Sequence, residues 1–349
     1  ELMAILALAD GKSTLEAIRD LRERIGRMVV AFDTEGKPVT ADQIRAAGAA
    51  TVLLRNALHP NLMQTIENTP ALIHCGPFAN IAHGNSSILA DRIALRFADY
   101  VVTEAGFGMD IGGEKFFDIK CRASGLVPDA VVVVATIRAM KAHTGKYRIR
   151  PGKPLPEELL LENPGDVVEG GANLRKQIEN ARKYGIPVVA ALNRFPEDRP
   201  SEIEAARRVV EEAGALGMAV STVFAEGSRG GTDLARLVVE AAEQPADFRF
   251  LYPLDTSIRE KIETIAREIY GAAEVSYSEE AAAQIDAFEA NGFGNLPICM
   301  AKTHLSLSHD PKRPGAPSGF VFPIREVRAS VGAGFIYPLA GTMMTMPGL

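Results

Sequence analysis

The sequence predicts an α/β protein whose main sheet is doubly wound and mostly parallel, followed by a second α/β domain and a small C-terminal α+β domain. Short runs rich in β-branched residues alternate with longer stretches of helical periodicity, which is typical of repeated strand–helix–strand units. Several of these runs are almost continuously apolar, as strands buried on both faces of a parallel sheet are. A chain of 349 residues has room for two or three domains of about 100–200 residues each.

The elements of the sheet come from the first two-thirds of the chain. Strands are predicted at residues 28–32, 71–75, 100–104, 130–136, 187–192 and 218–224. Helices are predicted at residues 40–58, 81–98, 115–124, 172–184, 201–213 and 233–243. Their regular alternation predicts parallel pairing of the strands.

The pattern changes at two places. Residues 146–171 hold four prolines and four glycines without a strong period, which predicts a long loop. After Leu254 two helices and two antiparallel strands are predicted, at residues 256–270, 278–291, 320–329 and 334–339. We therefore divide the chain into segments 1–171, 172–291 and 292–349.

Composition excludes several classes of protein. Apolar residues make up 47% and charged residues 23% of the chain, which excludes disordered and collagen-like sequences. The three cysteines form no CxxC pair, so neither structural zinc nor a disulfide framework is expected, and reduced thiols fit the cytoplasm. The longest apolar run, residues 2–9, is far short of the roughly 20 residues that span a bilayer. A net charge of −6 counts against nucleic-acid binding, which draws on a basic surface.

The start of the chain has the pattern of a helix interior and no initiating methionine, so we expect a part of a longer protein. Residues 10–14 contain Gly-Lys-Ser, the tail of a phosphate-binding loop. Such a loop needs another glycine where Leu6 stands. We interpret the segment as a turn between two helices, capped by Ser13 or Thr14.

Polar residues are concentrated where the second and third predicted strands end. Ligands of open α/β sheets bind at this end of the strands. Residues 75–87 carry more polar groups than a turn needs, which favours a binding role, and these are Asn80, His83, Asn85, Ser86 and Ser87. Residues 103–115 combine four glycines with three acids, Glu104, Asp110 and Glu114. These acids either hold a cation or position a nucleophile, or they are solvated loop charges.

Two later strand ends each present a phenylalanine. Asn193 can hydrogen-bond a planar heterocycle, and Phe195 offers a flat face for stacking. Phe224 precedes a Gly-rich turn at the end of the next strand. Because neighbouring strands lie about 4.8 Å apart, the two rings can clamp one flat ligand. The alternative is that Asn193 caps a turn and both rings pack in the core.

Five segments, in this order, resemble the formate–tetrahydrofolate ligases, and they are residues 24–40, 68–84 (with Gly-Pro-Phe-Ala-Asn-Ile-Ala-His-Gly), 99–108, 294–303 and 345–349. The resemblance covers nearly the whole chain. It implies a cytoplasmic ligase that joins formate to N10 of tetrahydrofolate, giving 10-formyltetrahydrofolate, ADP and phosphate by way of formyl phosphate. It also implies a P-loop NTPase-like nucleotide domain within residues 1–171, a folate pocket within residues 172–291, Mg-ATP as substrate, a monovalent cation and a homotetramer.

The resemblance also implies roles for individual residues. Phe195 and Phe224 would stack on the pterin ring, although the family often has tryptophan at the second position. Asn193 and Pro196 would shape the same pocket. The nucleotide would contact Ala225, Glu226 and Gly227. The formyl phosphate pocket would be lined by Phe78, Asn80, His83 and Gly84.

One part of the family pattern is not found within these residues. The family's phosphate loop, of Gly-Glu-Gly-Lys-[Ser/Thr] type, belongs upstream of the segment that matches Glu1, and residues 11–14 are not its counterpart. We therefore expect no ligase activity from this chain alone. One alternative is a non-catalytic folate-binding or assembly module. Another is a P-loop GTPase-like regulator, but Pro196 stands where such a protein needs a base-recognising Asp.

Overall fold

The computed structural model describes residues 1–150 and 152–343, so the matching segment at 345–349 lies outside it. The helices are α1 (Leu2–Leu8), α2 (Thr14–Arg27), α3 (Ala47–Leu54), α4 (Ile88–Ala94), α5 (Arg122–Ser124), α6 (Ile137–Ala142), α7 (Glu157–Leu160), α8 (Pro164–Arg182), α9 (Pro200–Glu212), α10 (Val223–Glu226), α11 (Thr232–Ala242), α12 (Ile258–Ile265) and α13 (Glu279–Ala290). The strands are β1 (Val29–Phe32), β2 (Pro38–Thr40), β3 (Asn61–Gln64), β4 (Pro70–Ile73), β5 (Val131–Ala135), β6 (Val188–Asn193), β7 (Gly217–Ser221), β8 (Glu274–Tyr277), β9 (Val321–Ser330) and β10 (Phe335–Ala340).

A parallel sheet in the order β5–β6–β7 confirms the α/β class and three of the predicted strands. Residues 188–192 of β6 are all buried, because strands flank β6 and helices cover the sheet. The connecting helices α8 and α9 pack on each other. A Cβ on Gly170 of α8 would lie 1.7 Å from the carbonyl oxygen of Met140, so only glycine allows α6 and α8 to approach this closely. Because the three strands are parallel, the loops after β5, β6 and β7 lie at the same edge of the sheet.

The C-terminal sheet has the order β10–β9–β8, with β9 antiparallel to β10 and parallel to β8. This confirms the two predicted antiparallel strands. The two predicted helices are present as α12, which continues into a π-wound turn at residues 266–270, and α13. β8 is not among the predicted strands, because its alternation of exposed and half-buried residues extends over only four positions. The rings of Tyr270 and Phe322, both fully buried, lie 5.2 Å apart in this core.

The first part of the chain differs most from the prediction. The runs at 28–32 and 71–75 do form strands, but each belongs to a two-stranded antiparallel hairpin, β1–β2 or β3–β4, and not to a buried parallel sheet. Residues 100–104 form no strand. All of β3 and most of β1 are exposed, although the Phe32 ring of β1 lies 6.5 Å from the Phe288 ring of α13. The prediction of buried strands was wrong here, although the residue types do favour extended backbone.

Several helix limits also differ from the prediction. The stretch 40–58 is helical only from Ala47, and the stretch 81–98 only from Ile88. Ser87 caps that helix, since its Oγ accepts a hydrogen bond from the Ala90 amide at 3.0 Å. The predicted helix at 115–124 is mostly π-wound. The predicted loop at 146–171 contains α7 and the first turns of α8, whose N-terminus Asn163 caps.

Two strand pairings cross the predicted domain limits. β5 and β6 lie on either side of residue 171, and β8 and β9 lie on either side of residue 292. Those limits stay predictions. Among the helices of the described chain, none combines the length and the apolar character that crossing a bilayer requires.

Candidate functional site

Phe195 lies in the loop after β6, at the carboxyl edge of the parallel sheet. Its amide donates a hydrogen bond to Oδ2 of buried Asp198 at 2.8 Å, and the Asp198 amide donates to the Phe195 carbonyl at 3.1 Å. The guanidinium carbon of Arg138 lies 3.5 Å from the centre of the Phe195 ring. The ring is half-buried and belongs to none of the hydrophobic cores found in the described part of the chain. One ring face is therefore covered by Arg138.

Phe224 lies after the neighbouring strand β7, in the short helix α10, and its side chain is fully exposed. The Thr222 amide donates to the Gly230 carbonyl at 3.0 Å, and Thr222 Oγ1 donates to Glu226 Oε2 at 2.6 Å, which closes the loop around α10. Within residues 1–150 and 152–343 no ring–ring contact joins Phe195 and Phe224. Because Phe195 belongs to no described core and Phe224 is fully exposed, the core-packing alternative is wrong for both rings.

The other predicted folate and nucleotide residues lie on the same edge. Asn193 is exposed, and no hydrogen bond of its side chain is formed with any described residue. Residues 225–227 end α10 and begin the turn that follows it, where Gly227 adopts a positive φ of 62°. The Ser228 amide donates to Glu67 Oε1 at 3.1 Å, so this turn contacts the β3–β4 hairpin. Pro196 is exposed beside Phe195.

The two polar loops predicted at 75–87 and 103–115 are brought together. Asn85 forms an isolated bridge with Ala105, and the Gly106 amide donates to the Gly84 carbonyl at 3.0 Å. Gly84 has a φ of +67°, and a Cβ there would lie 2.2 Å from the Ala79 side chain. The buried ammonium of Lys115 donates to the Ala79 carbonyl. The sequence predicts both loops at strand ends, but residues 100–104 form no strand, and the contact between the loops comes from the tertiary structure.

The predicted formyl phosphate residues divide into two groups. Phe78 is exposed and Asn80 half-buried, so a ligand can reach both. His83 is fully buried, and neither ring nitrogen has a hydrogen-bond partner among the described residues. Burial and the nearby cations Lys120 and Lys115 lower the pKa of His83 to about 3. His83 is therefore neutral at physiological pH and supports the loop from the interior.

The acids of the second loop also divide. Glu104 is exposed, whereas Asp110 and Glu114 are buried and are not solvated loop charges. Asp110 pairs with buried Lys302 at 2.7 Å. Both carboxyl oxygens of Glu114 lack a partner within the described residues, and burial together with Asp118 raises its pKa well above the ordinary range. In the part of the chain that the structure covers, no group of three or more His, Cys, Asp or Glu residues is arranged to hold a metal ion.

Two residues of these sites are not among those singled out in the sequence. Arg138 follows β5 at the same sheet edge, and the predicted strand at 130–136 was the signal that could have found it. Lys302 lies far from Asp110 in the sequence and reaches it only through the fold. Its place in the segment 294–303 was the one available signal.

A three-stranded parallel sheet, with two phenylalanines outside the described cores after neighbouring strands, defines an α/β protein. The family model described as formate–tetrahydrofolate ligase matches residues 1–349. The chain is 69% identical over 351 residues to a formate–tetrahydrofolate ligase of Chloroflexus aurantiacus and 66% identical over 349 residues to one of Herpetosiphon aurantiacus. It belongs to the formate–tetrahydrofolate ligase family. All of this chain is covered in both comparisons, but it spans only 61% of the length of each relative.

Proposed function

We propose that this chain forms part of an ATP-dependent ligase that joins formate to N10 of tetrahydrofolate. The products are 10-formyltetrahydrofolate, ADP and phosphate. The observation that carries the proposal is the family match along the whole chain, together with two phenylalanines that lie outside every described core on neighbouring strand ends.

The pterin ring of the folate is proposed to lie between Phe195 and Phe224. Phe195 has one face covered by Arg138, and Phe224 is wholly exposed. Stacking on a flat ligand removes ring surface from water and adds an aromatic contact. The exposed Asn193 can form hydrogen bonds with the amide edge of the pterin, and Pro196 borders the same space.

The reaction is proposed to run in two steps. A formate oxygen attacks the γ-phosphorus of ATP and ADP leaves, giving formyl phosphate. The N10 amine then attacks the formyl carbon, phosphate leaves, and N10 loses its proton. Phe78 and Asn80 are proposed to shield the acyl phosphate from water, because both are accessible on the loop that His83 and Gly84 support from within.

The nucleotide is proposed to bind as Mg-ATP beside residues 225–227. Phosphoryl transfer needs a loop that cradles the phosphates and cations that neutralise them. Residues 11–14 do not offer such a cradle, because the Gly11 amide donates to Asp10 Oδ1 at 2.7 Å and the Lys12 amide to Glu16 Oε2 at 2.7 Å. Ser13 caps α2. We therefore propose that this chain alone does not catalyse the ATP-dependent formylation of tetrahydrofolate.

Three further features of the family belong to the same proposal. The parallel sheet would be part of a larger doubly wound, P-loop-type fold, a monovalent cation would assist the reaction, and the assembled ligase would be a homotetramer. Each requires the whole ligase for its test.

Titration calorimetry with tetrahydrofolate, kept reduced, tests the site on this chain. We expect binding by the unaltered protein, and Phe195→Ala to weaken it by about 1–3 kcal/mol, a range taken from stacking of bases on aromatic side chains. Phe97→Ala is the control, because it removes an exposed phenylalanine ring that lies outside the sheet edge. Equal dissociation constants for the Phe195 variant and the unaltered protein would refute the clamp.

A non-catalytic folate-binding or assembly module is the second candidate. It is favoured by one observation: both proposed stacking rings lie within this chain, whereas residues 11–14 are engaged in a helix cap. A formylation assay with ATP, formate and tetrahydrofolate shows whether this chain catalyses the reaction or only binds folate. Turnover by this chain without any added polypeptide would contradict the proposed need for a further phosphate loop.

A further inference from the structure

We infer that Arg138 is a positioning residue of the pterin site, which covers one face of Phe195 and leaves the opposite face for the ligand. The inference rests on the proposed function, since it concerns the same ring. It adds Arg138 to the site, beyond the two phenylalanines that are proposed to stack on the pterin.

The contact between Arg138 and Phe195 leaves no room for a ligand between them. The guanidinium carbon lies 3.5 Å from the ring centre, which is van der Waals distance. Nη2 of Arg138 forms an ion pair with Glu197 Oε2 at 3.0 Å, which holds the guanidinium over the ring. Nε is buried and has no hydrogen-bond acceptor among the described residues. The guanidinium therefore contributes to this loop mainly through its planar face and one ion pair.

The backbone on both sides of the contact is fixed. Thr136 Oγ1 accepts a hydrogen bond from the Ala139 amide at 3.1 Å and caps α6, which carries Arg138. One turn further on, Lys141 of α6 pairs with buried Glu202 of α9 at 2.8 Å. The loop with Phe195 joins β6 to α9. Because α6 and α9 are held by this pair, Arg138 and Phe195 meet in one defined arrangement.

The order of strands determines the order of the stack. β5, β6 and β7 are neighbours in that order, and Arg138, Phe195 and Phe224 follow them respectively. A ligand between the two rings therefore gives the sequence Arg138, Phe195, pterin, Phe224. A cation over one ring face is attracted by the electrons of the ring, so the other face is better suited to an electron-rich flat ring, such as a reduced pterin, than to a second cation.

Calorimetry with tetrahydrofolate tests this arrangement in three variants. We expect Arg138→Met to weaken binding by about three- to ten-fold, because a Phe195 ring that is no longer held must be ordered when the ligand binds. Arg138→Lys keeps the charge but not the planar face, so we expect a smaller loss. Arg175→Met is the control, since Arg175 also forms an ion pair, with Glu212 at 2.7 Å, but contacts no aromatic ring within the described residues.

A double-mutant cycle distinguishes positioning from direct contact. If Arg138 acts through Phe195, Arg138→Met causes no additional loss in the Phe195→Ala protein. An equal loss in both backgrounds would mean that Arg138 contacts the ligand itself and would overturn the inference. So would an unchanged dissociation constant for Arg138→Met when Phe195→Ala weakens binding.

A measurement without ligand separates this inference from the proposed function. In protein labelled with 4-fluorophenylalanine, the ¹⁹F resonance that disappears in Phe195→Ala is that of residue 195. We expect Arg138→Met to shift this resonance and Arg175→Met to leave it in place. An unshifted resonance overturns the inference. A shifted resonance in a protein that binds no tetrahydrofolate overturns the proposed function and leaves Arg138 as the residue that orients the ring.

Discussion

Strands β1 and β4, at the start of the chain, and strand β6 have similar apolar sequences but opposite environments. Residues 188–192 of β6 are all buried, whereas Val30 and Phe32 of β1 are 47% and 48% exposed and Ile73 of β4 is 57% exposed. β6 has a parallel neighbour on each side and helices on the sheet, and β1 and β4 each have one antiparallel neighbour. Apolar, β-branched sequence therefore favours a strand, but neighbouring elements decide whether the strand is buried.

The same contrast holds for the helices and loops. Much of the apolar surface before β5 is exposed, notably at Val52, Leu53, Leu62, Ile66, Phe97 and Val102. An exposed apolar surface of this extent is typical of an interaction interface. The parallel sheet and its helices leave far fewer such side chains open to water. The two regions should therefore respond differently to matched substitutions.

Two lysine–glutamate pairs of equal length give the largest expected difference. Lys141–Glu202 and Lys37–Glu35 both measure 2.8 Å, but the side chains of the first pair are 2% and 1% exposed and those of the second 68% and 71%. We expect Glu202→Ala to lower the free energy of unfolding by about 3–5 kcal/mol, because it leaves a buried charge unpaired. Glu35→Ala should cost about 0–1 kcal/mol. Urea denaturation measures both, and similar losses would contradict the contrast.

Two leucines provide the second comparison. Leu192 of β6 is fully buried and Leu53 of α3 is 83% exposed. We expect Leu192→Ala to cost about 2–5 kcal/mol in unfolding free energy, because it removes packed atoms and opens a cavity. Leu53→Ala should change stability by less than about 0.5 kcal/mol. A large loss for Leu53→Ala would show that α3 is covered in solution.

The pH dependence of the unfolding free energy tests a buried acid, Glu114, in the region before β5. Burial, followed by the charge of Asp118, raises the folded-state pKa of Glu114 well above 4.5. Above pH 4.5 the unfolded chain releases this proton and the folded protein keeps it, so stability falls by up to about 1.4 kcal/mol per pH unit until the folded pKa is reached.

Glu114→Gln should remove this fall, because a neutral amide does not titrate. We expect the free energy of unfolding of the variant, relative to the unaltered protein, to be higher at pH 8 than at pH 5, as measured by denaturation at both values. Glu104→Gln, at an exposed position of the same loop, should give no such difference. A constant offset for Glu114→Gln at the two values would mean that Glu114 is ionised in the folded protein.

Strong local patterns predicted the fold correctly where neighbouring strands pair with each other in a sheet. The apolar runs of β5, β6 and β7 and the antiparallel pair β9–β10 were confirmed, and Ser13 caps α2 as predicted. The strand at 100–104 and the burial of β1 and β4 were wrong, because periodicity contains no information about which element covers a strand. The rings of Phe195 and Phe224 could be assigned to strand ends, but not the stacking of Arg138 on one of them.

The amino-acid sequence by itself determined the family, the strand–helix alternation and the identity of the polar loops, because these depend on residue order and local spacing. The tertiary structure alone decided that the loops at 75–87 and 103–115 meet, that Lys302 reaches Asp110, and that Arg138 covers Phe195. Such contacts join residues far apart in the chain. Their geometry depends on the order of the strands in the sheet and on helix packing, and a local sequence pattern does not predict either.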